Sequence, residues 1–254
     1  MGLFSNKKKG CPICGEPTPR LLPTEVDGMP ICKNCAKKVF LPNGALGKMS
    51  LGEFEQYLDF YDNNKVLRDR FKDTYYRTFG LFGKSIYIDE ANRLFRFSSL
   101  ADDMVFEGAD LISFCISEDM KPLFEGDRSG LKCYESDVPD RVRSMAPMFN
   151  RVRMQKQREQ AMKRMNKDDN KPDYTAPYIN LDEPFKDYHV ELILDHPYWY
   201  DMREKLQGPL INNTYPSVDQ YLRDYDKTTE EMRELAQKLM RLIDPSAPVI
   251  RVGE

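Results

Sequence analysis

Cys11-Pro12-Ile13-Cys14 and, beyond an intervening loop of 17 residues, Cys32-Lys33-Asn34-Cys35 place four thiols in two Cys-x2-Cys pairs. Two such pairs at this separation suit a tetrahedron of thiolates around Zn2+. Each pair reads as a knuckle, a turn tight enough for two sulfurs to reach one metal, and Gly15 supplies the permissive φ that the first turn needs. Four sulfur ligands leave no position for water. Cys11, Cys14, Cys32 and Cys35 are therefore expected to hold one structural Zn2+ and to catalyse nothing. Two disulfides, or a redox dithiol, are the competing readings. The lack of a secretory signal speaks against the first and the presence of two pairs against the second.

Outward from this motif, Ala36-Lys37-Lys38-Val39-Phe40 looks helical, so the second knuckle opens a helix in treble-clef or ribbon-like geometry. A helix start favours thiolates, because its amides and dipole stabilise negative charge. Pro42, Asn43, Gly44 and Gly47 mark a linker. Ser50-x-x-Glu53 is a capping box, followed by Phe54, Tyr57, Leu58 and Tyr61 at helical spacing. From residue 85 the period shortens to two. Ile86 and Ile88 alternate, the turn 89–92 leads into Leu94–Phe97, and Leu111–Ile116 is a further strand with Ile112, Phe114 and Ile116 on one face. Residues 123–134 read as a hairpin around Gly126 and Gly130. Val190, Leu192 and Leu194 put one apolar face on a strand beginning at His189. A long amphipathic helix over 217–243 starts at Ser217-x-x-Gln220 and stops at Asp244-Pro245.

Composition narrows the classes. The 254 residues include 41% hydrophobic and 31% charged side chains, enough for a core beneath a very polar surface. No stretch approaches the roughly 20 apolar residues of a membrane span. With Cys115 and Cys133 standing alone as thiols, a cytoplasmic protein is expected. The net charge of −3 is strongly segregated: residues 1–40 carry +4 and residues 141–171 carry +7, leaving −14 on the remainder. The second segment reads as a basic helix, kinked at Pro147. It carries Arg141, Arg143, Arg151, Arg153, Lys156, Arg158, Lys163, Arg164, Lys167 and Lys171, interleaved with Val142, Met145, Met148, Phe149, Val152, Met162 and Met165. The stretch Pro172–Pro184 reads as an extended loop.

Taken together, the expectation is an α+β chain. A zinc ribbon or treble-clef module spans 1–41 and a linker with short helices spans 42–79. A β-rich domain, barrel-like or sheet-plus-helix, spans 80–244, interrupted by the helical insertion 141–171 and closed by helix 217–243, with a tail at 245–254.

On Cys11-Pro12-Ile13-Cys14-Gly15, Ile31-Cys32-Lys33-Asn34-Cys35, the helix after Ser50, Arg77-Thr78-Phe79-Gly80 and Val190–Trp199, the chain resembles a bacterial zinc-ribbon family, a domain of unknown function. In that family an N-terminal ribbon with four cysteine ligands precedes a β-rich module likened to a pleckstrin-homology barrel. The resemblance implies a zinc site and a fold, and no reaction. The long basic insertion departs from it.

Catalytic residues are not expected. His189 and His196 are the two histidines, and neither sits in a local signature with Cys115 or Cys133. Gly80-Leu81-Phe82-Gly83-Lys84-Ser85 ends like a phosphate-binding loop but has the wrong spacing. No small-molecule substrate is expected. The reading is a zinc-binding interaction or adaptor protein, with a protein partner first and an anionic membrane surface second. The alternative is a nucleic-acid-binding regulator using the ribbon and residues 141–171. An acidic body and a shortage of aromatics near the ribbon weigh against that alternative.

Overall fold

The first long helix begins where its capping box puts it: Ser50 Oγ accepts from Glu53 N at 3.3 Å, and Glu53 Oε2 accepts from Ser50 N at 2.8 Å. The computed structural model describes residues 10–80, 84–98, 103–165, 179 and 181–252. In chain order these hold β1 (Glu25–Val26), β2 (Met29–Pro30), α1 (Lys33–Lys37), α2 (Leu51–Asn63) and α3 (Lys65–Arg70). Next come β3 (Tyr75–Thr78), β4 (Ser85–Asp89), β5 (Leu94–Phe97), β6 (Phe106–Glu107), β7 (Leu111–Glu118), β8 (Lys121–Asp127) and β9 (Gly130–Tyr134). The remainder is α4 (Val138–Ser144), α5 (Ala146–Met165), β10 (Asp187–Leu194), β11 (Asp201–Gln207), α6 (Val218–Ile243) and β12 (Val249–Val252). None of the described helices is long and apolar enough to cross a membrane.

Two compact units result. One comprises Met1–Thr78, Lys84–Ile112 and Ile193–Met202; the other comprises Phe79–Gly83, Ser113–Leu192 and Arg203–Glu254. In the first, the antiparallel sheet β3-β4-β5-β6 and helix α2 contribute the apolar core. Ile86, Ile88, Phe95 and Phe106 come from the sheet, and Phe54, Tyr57 and Tyr61 from the helix. Asn64, at the α2–α3 junction, imitates a strand edge: its Nδ2 donates to Val105 O at 2.7 Å and its Oδ1 accepts from Val105 N at 3.0 Å. Asp89 is buried and closes the β4–β5 turn by accepting from Asn92 N and Nδ2 and from Lys72 N. Burial opposes its charge, but these donors outweigh it and hold the carboxyl below its ordinary range.

The second unit is built on a six-stranded sheet in the order β11-β10-β7-β8-β9-β12. Asp119 N→Asp187 O and Asp195 N→Asp110 O at its two ends set β10 antiparallel to β7. Strand β12 runs parallel to β9, with Val249 opposite Leu131 and Val252 opposite Tyr134. Parallel pairing needs a crossover, and α6 provides it on the way from β11 to β12. The sheet ends at β11 and β12 without closing, so the arrangement is sheet-plus-helix and the barrel-like alternative is corrected. Residues 249–252, expected as tail, form an edge strand because their backbone completes the unpaired side of β9.

Helix α6 packs over β8 and β9. Its buried stripe includes Tyr221, Tyr225, Met232, Leu235, Ala236 and Leu239. Phe114, Ile116, Phe124, Leu131, Val190 and Leu192 are buried on the strands. Phe114 lies opposite Gly126, where a Cβ would come within 2.1 Å of its ring, so this glycine is the space into which the phenyl packs. On β7 the expected face holds for Phe114 and Ile116, whereas Ile112 is exposed and Leu111 buried. Only half of the second capping box forms. Ser217 Oγ accepts from Gln220 N, while Gln220 Nε2 turns outward to Asp224.

One carboxylate is buried in this core. Glu118, 3% exposed, accepts from Tyr225 Oη at 2.6 Å and from Ser136 Oγ at 2.5 Å. Burial raises its pKa, and the two hydroxyls only partly counter that. A carboxyl raised by folding contributes stability below its unfolded pKa and loses it as pH climbs through the folded value. Glu118→Gln should therefore match the parent protein in acid and become the more stable of the two toward neutral pH. Urea melts at a series of pH values test this; a constant difference across pH would refute it.

Candidate metal centre

The N-terminal module is assembled from turns that each need little sequence. Gly15, at φ 75°, lets its N–H reach Cys11 O at 2.8 Å while Cys11 N donates to Glu16 O at 2.7 Å, closing the first knuckle. Asp27 and Gly28, both at positive φ (52° and 70°), turn β1 into β2. Asp-Gly with two positive φ values is the preferred two-residue hairpin turn. This hairpin has no counterpart among the sequence expectations above, although Asp27-Gly28 is its signal. Cys32 then caps α1, its sulfur accepting from Cys35 N at 3.4 Å. Knuckle, hairpin and helix follow one another in that order, and Val26 and Ile31 are the module's fully buried apolar centre.

The four sulfurs come together. Cys14–Cys32 is 3.4 Å, Cys14–Cys35 is 3.7 Å, Cys11–Cys35 is 3.9 Å, and all four lie within 4.8 Å of one another. A tetrahedron with metal–sulfur bonds of about 2.3 Å has edges of about 3.8 Å. The cluster can therefore coordinate one metal ion. No pair approaches the ~2.05 Å of a disulfide, and all six cysteines of the chain are free. Cys11, Cys32 and Cys35 are buried and Cys14 is exposed. Burial pushes the Cys35 thiol far up, helped by neighbouring sulfurs, and raises Cys32 as well. At Cys11 burial also pushes up, yet the amides of Cys14, Cys32 and Ile13 overcome it and bring the thiol down to about 7. Four crowded thiols thus cannot all ionise alone, whereas a shared cation lets them.

The module is tied to α2 chiefly through the Tyr57 hydroxyl. Tyr57 Oη accepts from Phe40 N at 2.7 Å and donates to Lys38 O at 2.7 Å, and Trp199 Nε1 donates to Phe40 O at 3.3 Å. The Phe40 and Trp199 rings are 5.1 Å apart. Of the lysines beside the second knuckle, Lys38 pairs with Asp62 at 2.6 Å.

The other singled-out residues fall in different places. His196 is 6% exposed among the rings of Phe60, Phe106 and Tyr198, and burial depresses its pKa to about 4. His189 stands on β10 with Ser117, Glu191 and Arg203 around a cleft of about 580 Å³. Neither Cys115 nor Cys133 hydrogen-bonds His189 among the described residues. Cys115 faces Glu125 on β8, and burial, with Glu125 and Glu191, lifts its thiol to about 11, which is the reverse of nucleophilic activation. Burial also raises the Cys133 thiol, and the cation Arg233 only partly offsets this.

The basic insertion divides into α4 and α5 at Met145, with Pro147 in the first turn of α5, where a missing N–H costs nothing. Phe149 and Val152 are buried, but the next positions on that face are Lys156, Gln160 and Lys163. Hence Met154 and Met162 stay exposed, and the expected continuous apolar stripe stops after two turns. Lys156 pairs with Glu159, and Arg151, Arg153, Arg158, Lys163 and Arg164 have no partner among the described residues. Lys7–Lys9, Lys167, Lys171, Pro172 and Pro177 lie outside the described residues.

Comparison with protein-family models, with curated proteins and with solved structures finds no match for this chain. Of the family resemblance noted above, the structure supports the clustering of the four cysteines.

Elemental analysis should find one metal equivalent per chain, removed by strong chelators or by acid, since protons compete for thiolates. Cys35→Ser should abolish it and disorder residues 11–40, because binding worth roughly 10–16 kcal/mol is the folding free energy of such modules. The far-UV signal of the six-stranded sheet and α6 should survive. A full metal equivalent in the Cys14→Ser, Cys35→Ser double variant would remove the assignment.

Proposed function

We propose that this chain is a non-catalytic, zinc-stabilised interaction protein whose helix α5 engages an acidic protein surface. Zinc is the ion the donor set selects: four soft thiolates in a tetrahedron, without an open position, form a structural site. The ion holds the knuckle and the α1 start together and so fixes the Phe40 backbone that Tyr57 and Trp199 recognise.

The observation that carries the binding role is the row of five cations on α5 without a partner among the described residues, in a chain whose net charge is −3. A helix that served only its own fold would pair these cations with its acidic remainder, or would bury its methionines. Instead Met148, Met154 and Met162 are exposed between the arginines. Flexible thioethers flanked by cations suit a groove with apolar floor and acidic rim. A phosphate backbone offers nothing to the methionines, and the acidic body repels an extended polyanion. For these reasons a protein partner is preferred over nucleic acid or an anionic membrane.

The test compares three probes at matched ionic strength: an acidic amphipathic peptide, single-stranded RNA, and phosphatidylserine vesicles. The peptide should bind most tightly. The triple variant Arg151→Glu, Arg153→Glu, Arg158→Glu should weaken it by about tenfold or more, while helix content is unchanged. RNA binding tighter than peptide binding, with a steep salt dependence, would move the assignment to the nucleic-acid reading.

A further inference from the structure

His196 has one ring nitrogen accounted for and one to spare. Its Nδ1 accepts from Tyr198 N at 3.2 Å, which puts the proton of the neutral imidazole on Nε2. Burial holds the pKa near 4, so the ring is neutral throughout the physiological range. Nε2–H finds no acceptor among the described residues, and the atom is not fully enclosed although the residue is only 6% exposed, so it is open to an incoming acceptor. The residue lines a cavity of about 300 Å³ in the first unit.

The walls of that cavity are apolar, acidic and, at Asn63 and Asn64, amide. Phe60, Leu67, Val105 and Pro197 are apolar, while Glu107 and Asp110 bring carboxyls. These two acids are pinned as a reciprocal cap: Asp110 Oδ2 accepts from Glu107 N at 2.8 Å, and the Glu107 side chain accepts from the backbone at Asp110. Each carboxyl retains lone pairs for a further donor. Desolvation, then Glu107 and Asp195 nearby, raise the Asp110 pKa. The position of the wall is set by Asn64, whose two bonds to Val105 tie the α2–α3 junction to the start of β6.

We propose that this cavity binds a small planar molecule that is uncharged or cationic, presenting an acceptor to His196 Nε2–H and N–H donors to Asp110 and Glu107. Aromatic amides and amide-bearing heterocycles have that edge, and their ring faces suit Phe60 and Leu67. Carboxylates and phosphates do not, because Glu107 and Asp110 line the polar end. The size is that of the smallest ligand sites, which begin near 300 Å³. This site is independent of α5 and of the proposed partner.

The test uses benzamide as the neutral probe and benzoate as its anionic twin, added to the intact metal-loaded chain. The readout is the imidazole 15N resonances of His196. Benzamide should shift the Nε2 resonance saturably, with a dissociation constant on the order of 1 mM, and benzoate should bind at least about tenfold more weakly. Leu67→Trp, which fills the cavity, should abolish the shift while leaving metal content and helix signal intact. Asp110→Asn keeps the cap and should narrow the gap between the two probes. Unmoved His196 resonances, equal binding of benzoate, or unchanged binding in a folded Leu67→Trp variant would each overturn the proposal.

Discussion

Four thiol sulfurs within 4.8 Å of one another, three of them on buried residues, form the constraint on which the first unit depends. Desolvation keeps such a group from ionising by itself, and a shared cation reverses the sign of that penalty. Everything near the sulfurs serves their convergence: Gly15 turns one knuckle, Asp27-Gly28 returns the chain, and Cys32 caps α1. The consequence reaches past the module, because the same geometry aims the Phe40 amide and carbonyl at Tyr57 and Trp199. A loss of metal would thus be felt by α2 and by the aromatic cluster around His196.

The second unit rests on a different balance. A pleated sheet has two faces, and α6 covers only one. The covered face takes the large apolar residues and one carboxylate, Glu118, whose two hydroxyl donors make burial tolerable but not free. The other face carries Cys115, Glu125, Lys132 and Glu191, side chains that need no cover. Burial first, and then the carboxylates of Glu125 and Glu191, hold Cys115 as a thiol.

Helix α5 shows how a charge pattern acquires meaning. Its first two turns hold it down through Phe149 and Val152. Lysine and glutamine then occupy the same face, so there is nothing further to bury. Lys156 pairs with Glu159, and the other cations beyond have no ion-pair partner among the described residues. A solvated face and a binding face look alike in composition, and the exposed methionines are what the proposed binding role rests on.

By itself the sequence determined the elements whose signals are local. The Cys-x2-Cys spacing brings the sulfurs together, Ser50-x-x-Glu53 starts α2, and alternation puts Val190, Leu192 and Leu194 on one buried face. The stripe of α6 spans 218–243, almost as read. Such signals are short-range: a turn, a cap or a period of 2 or 3.6 is written within a few residues. Tertiary structure alone decided the rest. Strand β12 exists because β9 had an unpaired edge, not because 249–252 carries a pattern. The open sheet replaces a barrel because its outer strands β11 and β12 do not meet. His196 became a buried neutral donor through Phe60, Phe106 and Tyr198 and through a cavity bounded by Asp110, none of which its neighbours Asp195 and Pro197 foretell. Pairing partners and dielectric surroundings come from residues distant in sequence, and no local reading contains them.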